Sequence, residues 1–348
     1  MLCEIKTMRA SANQRSRVRR SRGCGAASEA RNAFTIIELL VAMAVLAIIA
    51  VIMVSMTSSV QKVTKQTTSR VEQFRESRRA FDRINQRLSQ ATLNAYYDYV
   101  DSNGWPRTTA TAATFNPSRY ARISELRYLQ TNADAFSATN KGIAVFFQAP
   151  LGQTASADLS GLDSLLNTVG YYIEKGGDSA LQPAPVRNAG VPSKDRYRLY
   201  ECVQPTENFS VYGLTSGAAT NNSTTWVSGA LAAGNSYPLA ENIVALVFSA
   251  IYPDASGTWQ TNSTFSSAPR NQATQPIEEN NLPPKVRVSM IAVDETSASR
   301  IADTGVSLTD PLTHEDLADL EKDLVDKNLN YRRFESIVTI GPSKWSAQ

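Results

Sequence analysis

A single carboxylate interrupts the most apolar stretch of the sequence. Glu38 lies in the segment 34–56, and sixteen consecutive apolar residues follow it, from Leu39 to Val54. A carboxylate within an apolar segment costs free energy and usually marks a functional partner, so this position favours the pairing of its charge. One alternative stays open, in which Glu38 lies near the edge of a membrane and its side chain reaches the water.

The residue types that most catalytic and metal sites need are scarce. The chain has three cysteines, Cys3, Cys24 and Cys202, and one histidine, His314. A His/Cys zinc site and a Cys-His nucleophilic pair are therefore not expected, and Cys202 has no internal disulfide partner in the body. The sequence also lacks the glycine-rich phosphate loop, the dinucleotide-binding motif and the nucleophile elbow, which argues against nucleotide-binding enzymes and hydrolases. We expect no catalytic residues, no metal ligands and no cofactor.

The apolar segment is long enough to cross a membrane. Its 23 residues would span roughly 34 Å as a helix, against a hydrocarbon core of about 30 Å. Residues 1–33 carry a net charge of +6, from eight basic and two acidic residues, whereas residues 34–348 carry −3, from 27 basic and 30 acidic residues. The positive-inside bias predicts a cytoplasmic N-terminus and a body outside. The mildly acidic body argues against nucleic-acid binding.

Two simple explanations of the apolar segment remain alternatives. A cleaved secretory signal has an apolar region of about 7–15 residues, shorter than the region found here. A plain signal anchor explains the length, but it does not explain why the basic, polar head ends abruptly at Ala33-Phe34.

The residues around that boundary resemble the prepilin processing motif of type IV pilins and type II secretion pseudopilins. The resemblance rests on the basic leader, the run AFTIIELL at 33–40 and the long apolar helix after it. It implies that a prepilin peptidase cleaves between Ala33 and Phe34 and N-methylates Phe34. It also implies that Glu38, the fifth mature residue, neutralises the N-terminal ammonium of Phe34 on a neighbouring subunit. Ala33 stands where the family usually has glycine.

The sequence after the apolar segment predicts one long helix followed by strands. No glycine or proline occurs between Gly25 and Gly104, and an apolar stripe at helical spacing continues beyond the membrane, so we expect one helix from about 35 to 94. The stripe consists of Val60, Val63, Val71, Phe74, Phe81, Ile84 and Leu88. Six β-like runs then predict an α+β body with a largely antiparallel sheet packed on the helix. These runs are Ile143–Gln148, Val169–Glu174, Tyr197–Val203, Ile243–Tyr252, Val286–Val293 and Phe334–Ile340.

The expected domain organisation has three parts. Residues 1–33 form the leader peptide, residues 34–95 form the N-terminal helix with 34–56 in the membrane, and residues 96–348 form the periplasmic or extracellular body. The stretches 213–236 and 254–282 are rich in small polar residues and predict exposed loops.

One further helix is expected near the C-terminus. Thr313 and Asp316 are spaced as a capping pair, and Leu317, Leu320 and Leu324 share one face of the helix that follows. The run His314-Glu315-Asp316 is interpreted as the polar start of this helix, in preference to a metal or acid–base group.

Two later parts of the chain refine the resemblance. The stretches 242–252, 254–259 and 282–288 resemble the J-type minor pseudopilin. In that family a strand is followed by a D-x-x-G turn with a Trp, and a Leu-Pro pair then precedes the next strand. The strand 196–200 and the run 204–207 resemble Verru_Chthon cassette protein C, a prepilin-like family. The J-type resemblance implies a place at the tip of a fibre.

Together these features predict a minor pilin or pseudopilin of a type II secretion or type IV pilus-like fibre. Its expected partners are the prepilin peptidase, other minor and major pilins or pseudopilins, and the inner membrane, which it would cross once before assembly. Two other functions stay open: an adhesin-like tip subunit that binds a surface through its polar loops, and a signal-anchored periplasmic enzyme.

Overall fold

The first helix of the fold is long and uninterrupted. A computed structural model describes residues 35–107, 111–213, 225–232, 234–269, 275–343 and 345. Helix α1 extends over 53 residues, Ile36–Leu88, as the absence of glycine and proline predicts. The boundary between two compact units lies within it, between Lys62 and Val63. We therefore describe two parts of α1 separately, the apolar half (36–62) and the docked half (63–88).

Helix α1 ends before the predicted residue 94. After Leu88, the amides of Gln90 and Ala91 bond to carbonyls three residues back, which tightens the last turn. The amide of Thr92 then donates to the carbonyl of Gln148, 2.9 Å away in a distant strand. The helix ends here because the backbone of Thr92 bonds to the sheet. This contact is between residues far apart in the chain, so the spacing of apolar residues along the helix does not predict it.

The rest of the described chain alternates strands with short helices. The strands are β1 (Tyr96–Val100), β2 (Arg119–Ile123), β3 (Leu129–Asn132), β4 (Asn140–Pro150), β5 (Leu166–Gly176), β6 (Arg196–Gln204), β7 (Ser236–Glu241), β8 (Ile243–Pro253), β9 (Trp259–Asn262), β10 (Phe265–Ser266), β11 (Lys285–Val293) and β12 (Tyr331–Thr339). The helices are α2 (Ala184–Asn188), α3 (Thr225–Ala230), α4 (Glu295–Thr304) and α5 (Asp316–Asp326), with 3₁₀ turns at Ala133–Ala135, Ala157–Leu159, Thr206–Asn208 and Ser210–Gly213.

The fold is α+β, as predicted, and its strands pair antiparallel. In the described residues they form three sheets instead of the single one expected: β1-β2, β10-β3-β4-β5-β6-β7, and β12-β11-β8-β9. The six predicted strands are β4, β5, β6, β8, β11 and β12, and all six are confirmed. Five of them, β4, β5, β6, β8 and β11, lie inside the two larger sheets, where apolar residues are buried on both sides, and β12 lies at an edge of the four-stranded sheet.

The two larger sheets approach each other closely at Gly142. This residue has a φ of +70°, and a Cβ atom built on it would lie 2.6 Å from the carbonyl oxygen of Leu246. Only glycine fits both the left-handed backbone and this approach of β4 to β8. The core between the sheets contains Phe147, Leu246 and Met290, all fully buried.

The apolar stripe of α1 is buried only near its C-terminal end. Phe81, Ile84 and Leu88 lie in the core, and Phe81 packs on Phe334 of β12 with ring centroids 5.8 Å apart. Val63 and Val71, which the helical spacing placed in the same stripe, are exposed. The expectation of a continuous packed stripe is therefore wrong for its first turns, since the buried contacts of the docked half begin closer to Ser77.

The predicted loops hold more structure than expected. Within 213–236, α3 buries Trp226 and Val227. Within 254–282, β9 and β10 form, and Asn280 and Leu282 are buried. The prediction of exposed loops is wrong for these parts, because small polar residues do not reveal which apolar neighbours anchor them. The stretches 214–224 and 270–274, with residue 233, lie outside the described residues.

The C-terminal helix is confirmed as α5. The amide of Asp316 donates to Thr313 Oγ1 at 3.3 Å, and the amide of Thr313 donates to Asp316 Oδ2 at 2.9 Å. This reciprocal pair is the capping arrangement predicted from the sequence. The face with Leu317, Leu320 and Leu324 is fully buried.

Candidate assembly segment at the start of helix α1

Glu38 closes the first turn of α1 with Thr35. The amide of Glu38 donates to Thr35 Oγ1 at 3.3 Å, and Glu38 Oε2 accepts both the amide and the hydroxyl of Thr35 at 3.2 Å. This is a capping box, in which two amides without helical partners are satisfied reciprocally. The sequence run Thr-Ile-Ile-Glu carries the signature of this motif, but the sequence analysis assigned Glu38 only a charge-pairing role.

The predicted cleavage position lies outside the described residues. Ala33 and Phe34 precede Thr35, the first residue that the structure describes. Cleavage between them, methylation of Phe34 and pairing of Glu38 with the Phe34 ammonium therefore stay predictions. Of the three predicted site residues, the structure places Glu38 alone, at the third position of the helix.

The apolar half of α1 presents apolar side chains to the outside on all faces. From Ile36 to Met56 every large apolar side chain is exposed, from 47% at Ile49 to 83% at Ile36. The helix is long and apolar enough to cross a membrane. A continuous apolar surface of this extent marks a membrane or protein interaction site, and an all-round distribution is typical of a membrane span.

The apolar residues give way to hydroxyl side chains that bond to their own helix. Thr57 Oγ1 donates to the carbonyl of Met53 at 2.8 Å, and Ser58 and Ser59 both donate to the carbonyl of Ser55, at 2.8 and 3.0 Å. Because these hydroxyls bond back to the helix, the apolar half passes into polar sequence without an unsatisfied hydroxyl at these three positions.

One buried carboxylate fastens the docked half of α1 to the six-stranded sheet. Glu201 of β6 is fully buried. Its oxygens accept from Arg83 at 3.0 and 2.7 Å and lie 2.9 Å from Arg87 Nη1. The hydroxyl of Tyr171 donates to it at 2.6 Å, and the hydroxyl of Tyr237 donates to it as well. Strands β5, β6 and β7 and the helix thus meet at one charge.

The environment of Glu201 keeps it ionised. Burial by itself disfavours the carboxylate, but hydrogen bonds from Arg83, Tyr171 and Tyr237 and the charge of Arg87 outweigh it and hold the pKa of Glu201 below its ordinary value. Burial and the same carboxylate raise the pKa of Tyr171 well above its ordinary value. Sequence reasoning missed this group. The signal that could have revealed it is Glu201 itself, which lies within the predicted strand Tyr197–Val203. A charge that faces the interior of a sheet needs a partner of opposite charge or hydrogen-bond donors.

A second buried carboxylate holds the docked half near its start. Asp294 is fully buried and lies 2.7 Å from Arg70 Nε of α1. Its other oxygen accepts from the amide of Ser297 at 2.8 Å and so caps α4. The two contacts are compatible because each uses a different carboxylate oxygen.

The remaining reactive side chains of the sequence analysis have structural surroundings. His314 precedes α5, with Nδ1 3.4 Å from Ser289 Oγ and Nε2 3.8 Å from Glu335 Oε1. Ser289 is buried, so this arrangement offers no accessible nucleophile. The thiol of Cys202 donates to the carbonyl of Ala230, and burial raises its pKa to about 12. Among the described residues, no three His, Cys, Asp or Glu side chains converge on a metal position.

Comparison with known proteins identifies a motif in the N-terminal segment. Residues 30–54 match the family model of the prokaryotic N-terminal methylation motif. No match was found among curated proteins. A solved structure of a type IV-like pilin from Thermus thermophilus aligns with 62% of this chain and 85% of that chain, at 12% sequence identity and a TM-score of 0.27. A similarity at that level carries no argument of its own.

The matched range includes Thr35, Glu38 and most of the exposed apolar residues of α1. Residues 30–54 thus carry a prokaryotic N-terminal methylation motif.

Proposed function

We propose that this chain is a minor pilin or pseudopilin, a structural and assembly subunit of a type II secretion or type IV pilus-like fibre. The observation that carries the proposal is the combination of the methylation motif at 30–54 with a helix whose apolar half is exposed on all faces. Such a surface needs lipid before assembly and neighbouring helices after it. The docked half and the sheets form the body that the fibre would display.

Processing begins the proposed sequence of events. A prepilin peptidase removes residues 1–33 and N-methylates Phe34, on the cytoplasmic side of the inner membrane. The net charge of +6 on the leader favours this orientation. The mature chain then crosses the membrane once through the apolar half, with the body in the periplasm.

Assembly follows from the same segment. The apolar halves of neighbouring subunits pack against each other, and Glu38 pairs with the Phe34 ammonium of a neighbour, so two charges that are costly in lipid neutralise each other. Glu38 has its carboxylate at the start of the helix, where Thr35 already orients it through Oε2. The J-type resemblance of residues 242–288 supports a place near the fibre tip, beside other minor subunits.

The decisive experiment is the mass of the mature N-terminus, measured on protein purified from its native membrane. We expect a chain that begins with N-methylated Phe34. An intact leader would contradict the proposal and indicate a signal anchor. A chain cut elsewhere, within or after the apolar half, would instead indicate a secretory signal. A strain without the peptidase serves as the control, since it should accumulate chains with the leader attached.

A further inference from the structure

A cavity of about 500 Å³ lies beside the two-stranded sheet, and the residues given for its lining belong to other elements than α1. Its volume falls within the range of small-ligand sites, about 300–1,000 Å³. Its walls come from the β1–β2 region, the segment 123–127 and the turn Ser210–Gly213, with Pro269 and Asn280 from the chain before β11. The lining residues used below are Tyr96, Asp98, Trp105, Arg107, Glu125, Arg127 and Tyr212.

Aromatic side chains are held in place around this cavity. The loop that carries Trp105 is closed by Asp101, whose Oδ1 accepts from the amide of Trp105 at 2.8 Å and from the amide of Asn103 at 2.9 Å. The ring of Tyr212 packs on Phe209 with centroids 5.0 Å apart. An ordered backbone at Trp105 and a packed ring at Tyr212 reduce the ordering cost that ligand binding must overcome.

The charges around the cavity balance. The lining includes two carboxylates, Asp98 and Glu125, and two guanidinium groups, Arg107 and Arg127. Burial lowers the pKa of Arg127 to about 10, which leaves it charged at neutral pH. A lining without net charge gives no advantage to a phosphate, a nucleic acid or a polycation. The charged groups equally disfavour a purely apolar ligand.

The lining side chains include hydrogen-bond donors and acceptors. The donors are the guanidinium groups of Arg107 and Arg127, and the acceptors are the carboxylates of Asp98 and Glu125. Glu125 is fixed by Asn94, whose Nδ2 donates to it at 2.9 Å. The cavity therefore joins aromatic rings with side chains of both hydrogen-bonding types, the combination that suits a ligand with many hydroxyl groups.

We propose that this cavity binds neutral carbohydrate, with a sugar ring against Trp105 and Tyr96 and its hydroxyls between the carboxylates and guanidinium groups. Tyrosine and tryptophan present an apolar face for the C–H side of a sugar and a polar group for its hydroxyls. This function is independent of fibre assembly, because none of the residues belongs to α1.

The test uses the full chain in phosphatidylcholine nanodiscs, which avoid detergents with sugar head groups. Maltopentaose, cellopentaose and chitopentaose are titrated by calorimetry to about 10 mM, beyond the millimolar range of weak binding, with a galacturonate pentamer as the anionic comparison. We expect saturable binding of at least one neutral oligosaccharide. Trp105→Ala and Tyr96→Ala should each weaken it roughly tenfold or more, as loss of an aromatic contact does.

Tyr97→Ala is the matched control. Tyr97 neighbours Tyr96 on β1 but points to the opposite face of the sheet, where it stacks on Tyr120. The Tyr97→Ala variant should bind sugar as the wild type does. Should Trp105→Ala lower the melting temperature, Tyr212→Ala, an exposed position, replaces it. No binding of any neutral sugar, stronger binding of the galacturonate pentamer, or equal binding by the wild type and the cavity variants would each overturn the proposal.

Discussion

Glu38 has an observed role in the capping box and a proposed role in charge pairing, and substitution can separate the two. Glutamine at this position keeps the acceptor oxygen of the capping box but removes the charge. Alanine at Thr35 removes the cap and keeps the charge. We expect Glu38→Gln to enter the membrane normally and to be largely absent from fibres, because the Phe34 ammonium of the neighbour then has no counter-charge. Immunoblots of membrane and sheared-fibre fractions measure both quantities.

Thr35→Ala is the matched control for this experiment. It should lower the stability of the first turn by about 1 kcal/mol, the usual cost of losing a cap, yet still reach the fibre. If Glu38→Gln assembles as the wild type does while Thr35→Ala does not, the capping box is the function of Glu38 and the charge pair is excluded.

Glu201 should dominate the stability of the docked half. Glu201→Gln leaves Arg83 and Arg87 without their counter-charge, and breaking a buried pair in this way costs about 3–5 kcal/mol. Urea unfolding followed by tryptophan fluorescence measures the change in free energy of unfolding. Asp82→Asn is the control on the same helix, since its pair with Arg78 is exposed on both sides and should cost no more than about 0.5 kcal/mol. Equal losses in the two variants would contradict the assignment.

Glu201 should also make the free energy of unfolding depend on pH. The folded pKa of Glu201 is lowered, through its arginine and tyrosine partners, below the unfolded value. Its contribution to stability is therefore complete above about pH 4.3, the ordinary glutamate pKa, and is lost as the pH falls through the folded pKa. The stability of the wild type should decline more steeply below pH ~4.3 than that of Glu201→Gln. Parallel curves would show that another group is responsible.

At the scale of elements, the sequence predicted the helix and six strands, five of which lie inside their sheets. These elements carry their signal locally, as helical spacing in α1 and as apolar runs in β4, β5, β6, β8, β11 and β12. The missed strands carry none. Strand β1 reads YYDYV with four exposed residues, β7 includes a proline, and β10 is two residues long. They exist because a distant partner offers backbone hydrogen bonds, which no window of sequence reveals.

Asp294 couples two helices, and its variants should distinguish the two contacts. Asparagine is as good a helix cap as aspartate, so Asp294→Asn should keep α4 capped and lose the charged acceptor oxygen that Arg70 and Asn330 face. Asp294→Ala loses both and should cost about 1 kcal/mol more. Hydrogen exchange resolves the outcome by position: faster exchange in 295–304 is expected for the alanine variant alone. Fast exchange there in both variants would mean that the charge, not the cap, maintains α4.

The close approach of the two large sheets can be tested at Gly142. An alanine there is strained by the φ of +70° and also meets the carbonyl of Leu246. Gly161→Ala is the control, because its φ is +89° with no atom within 4 Å of the added Cβ. Backbone strain alone costs about 1–3 kcal/mol, and Gly142→Ala should exceed Gly161→Ala. Equal melting temperatures would show that the sheets shift apart without cost.

At the scale of the whole molecule, the two candidate sites differed in how far sequence could reveal them. The assembly segment is contiguous, so its residue types and their order were readable directly. The carbohydrate cavity draws Tyr96, Glu125 and Tyr212 from segments far apart in the chain, and nothing in their local sequence brings them together. Glu201 and its arginines were hidden for the same reason, since 118 residues separate Arg83 from Glu201.

The proposed topology gives an expectation for the intact chain. Cys3 and Cys24 lie in the predicted leader, and Cys202 is buried. In a strain without the peptidase, a membrane-impermeant maleimide should leave the chain unlabelled in spheroplasts and label it after permeabilisation. Ala255→Cys, at an exposed turn, supplies the periplasmic control and should react before permeabilisation. Labelling of the leader cysteines in intact spheroplasts would reverse the orientation.

The two buried carboxylates also determine how the body would bear mechanical load. In a fibre, tension reaches each subunit through its helix. Arg70 would pass the pull to Asp294, and Arg83 and Arg87 would pass it to Glu201, where the hydroxyls of Tyr171 and Tyr237 share it with strands β5 and β7. Since several bonds at one carboxylate must break together before the helix leaves the sheet, the docked half should yield abruptly under force instead of peeling away turn by turn.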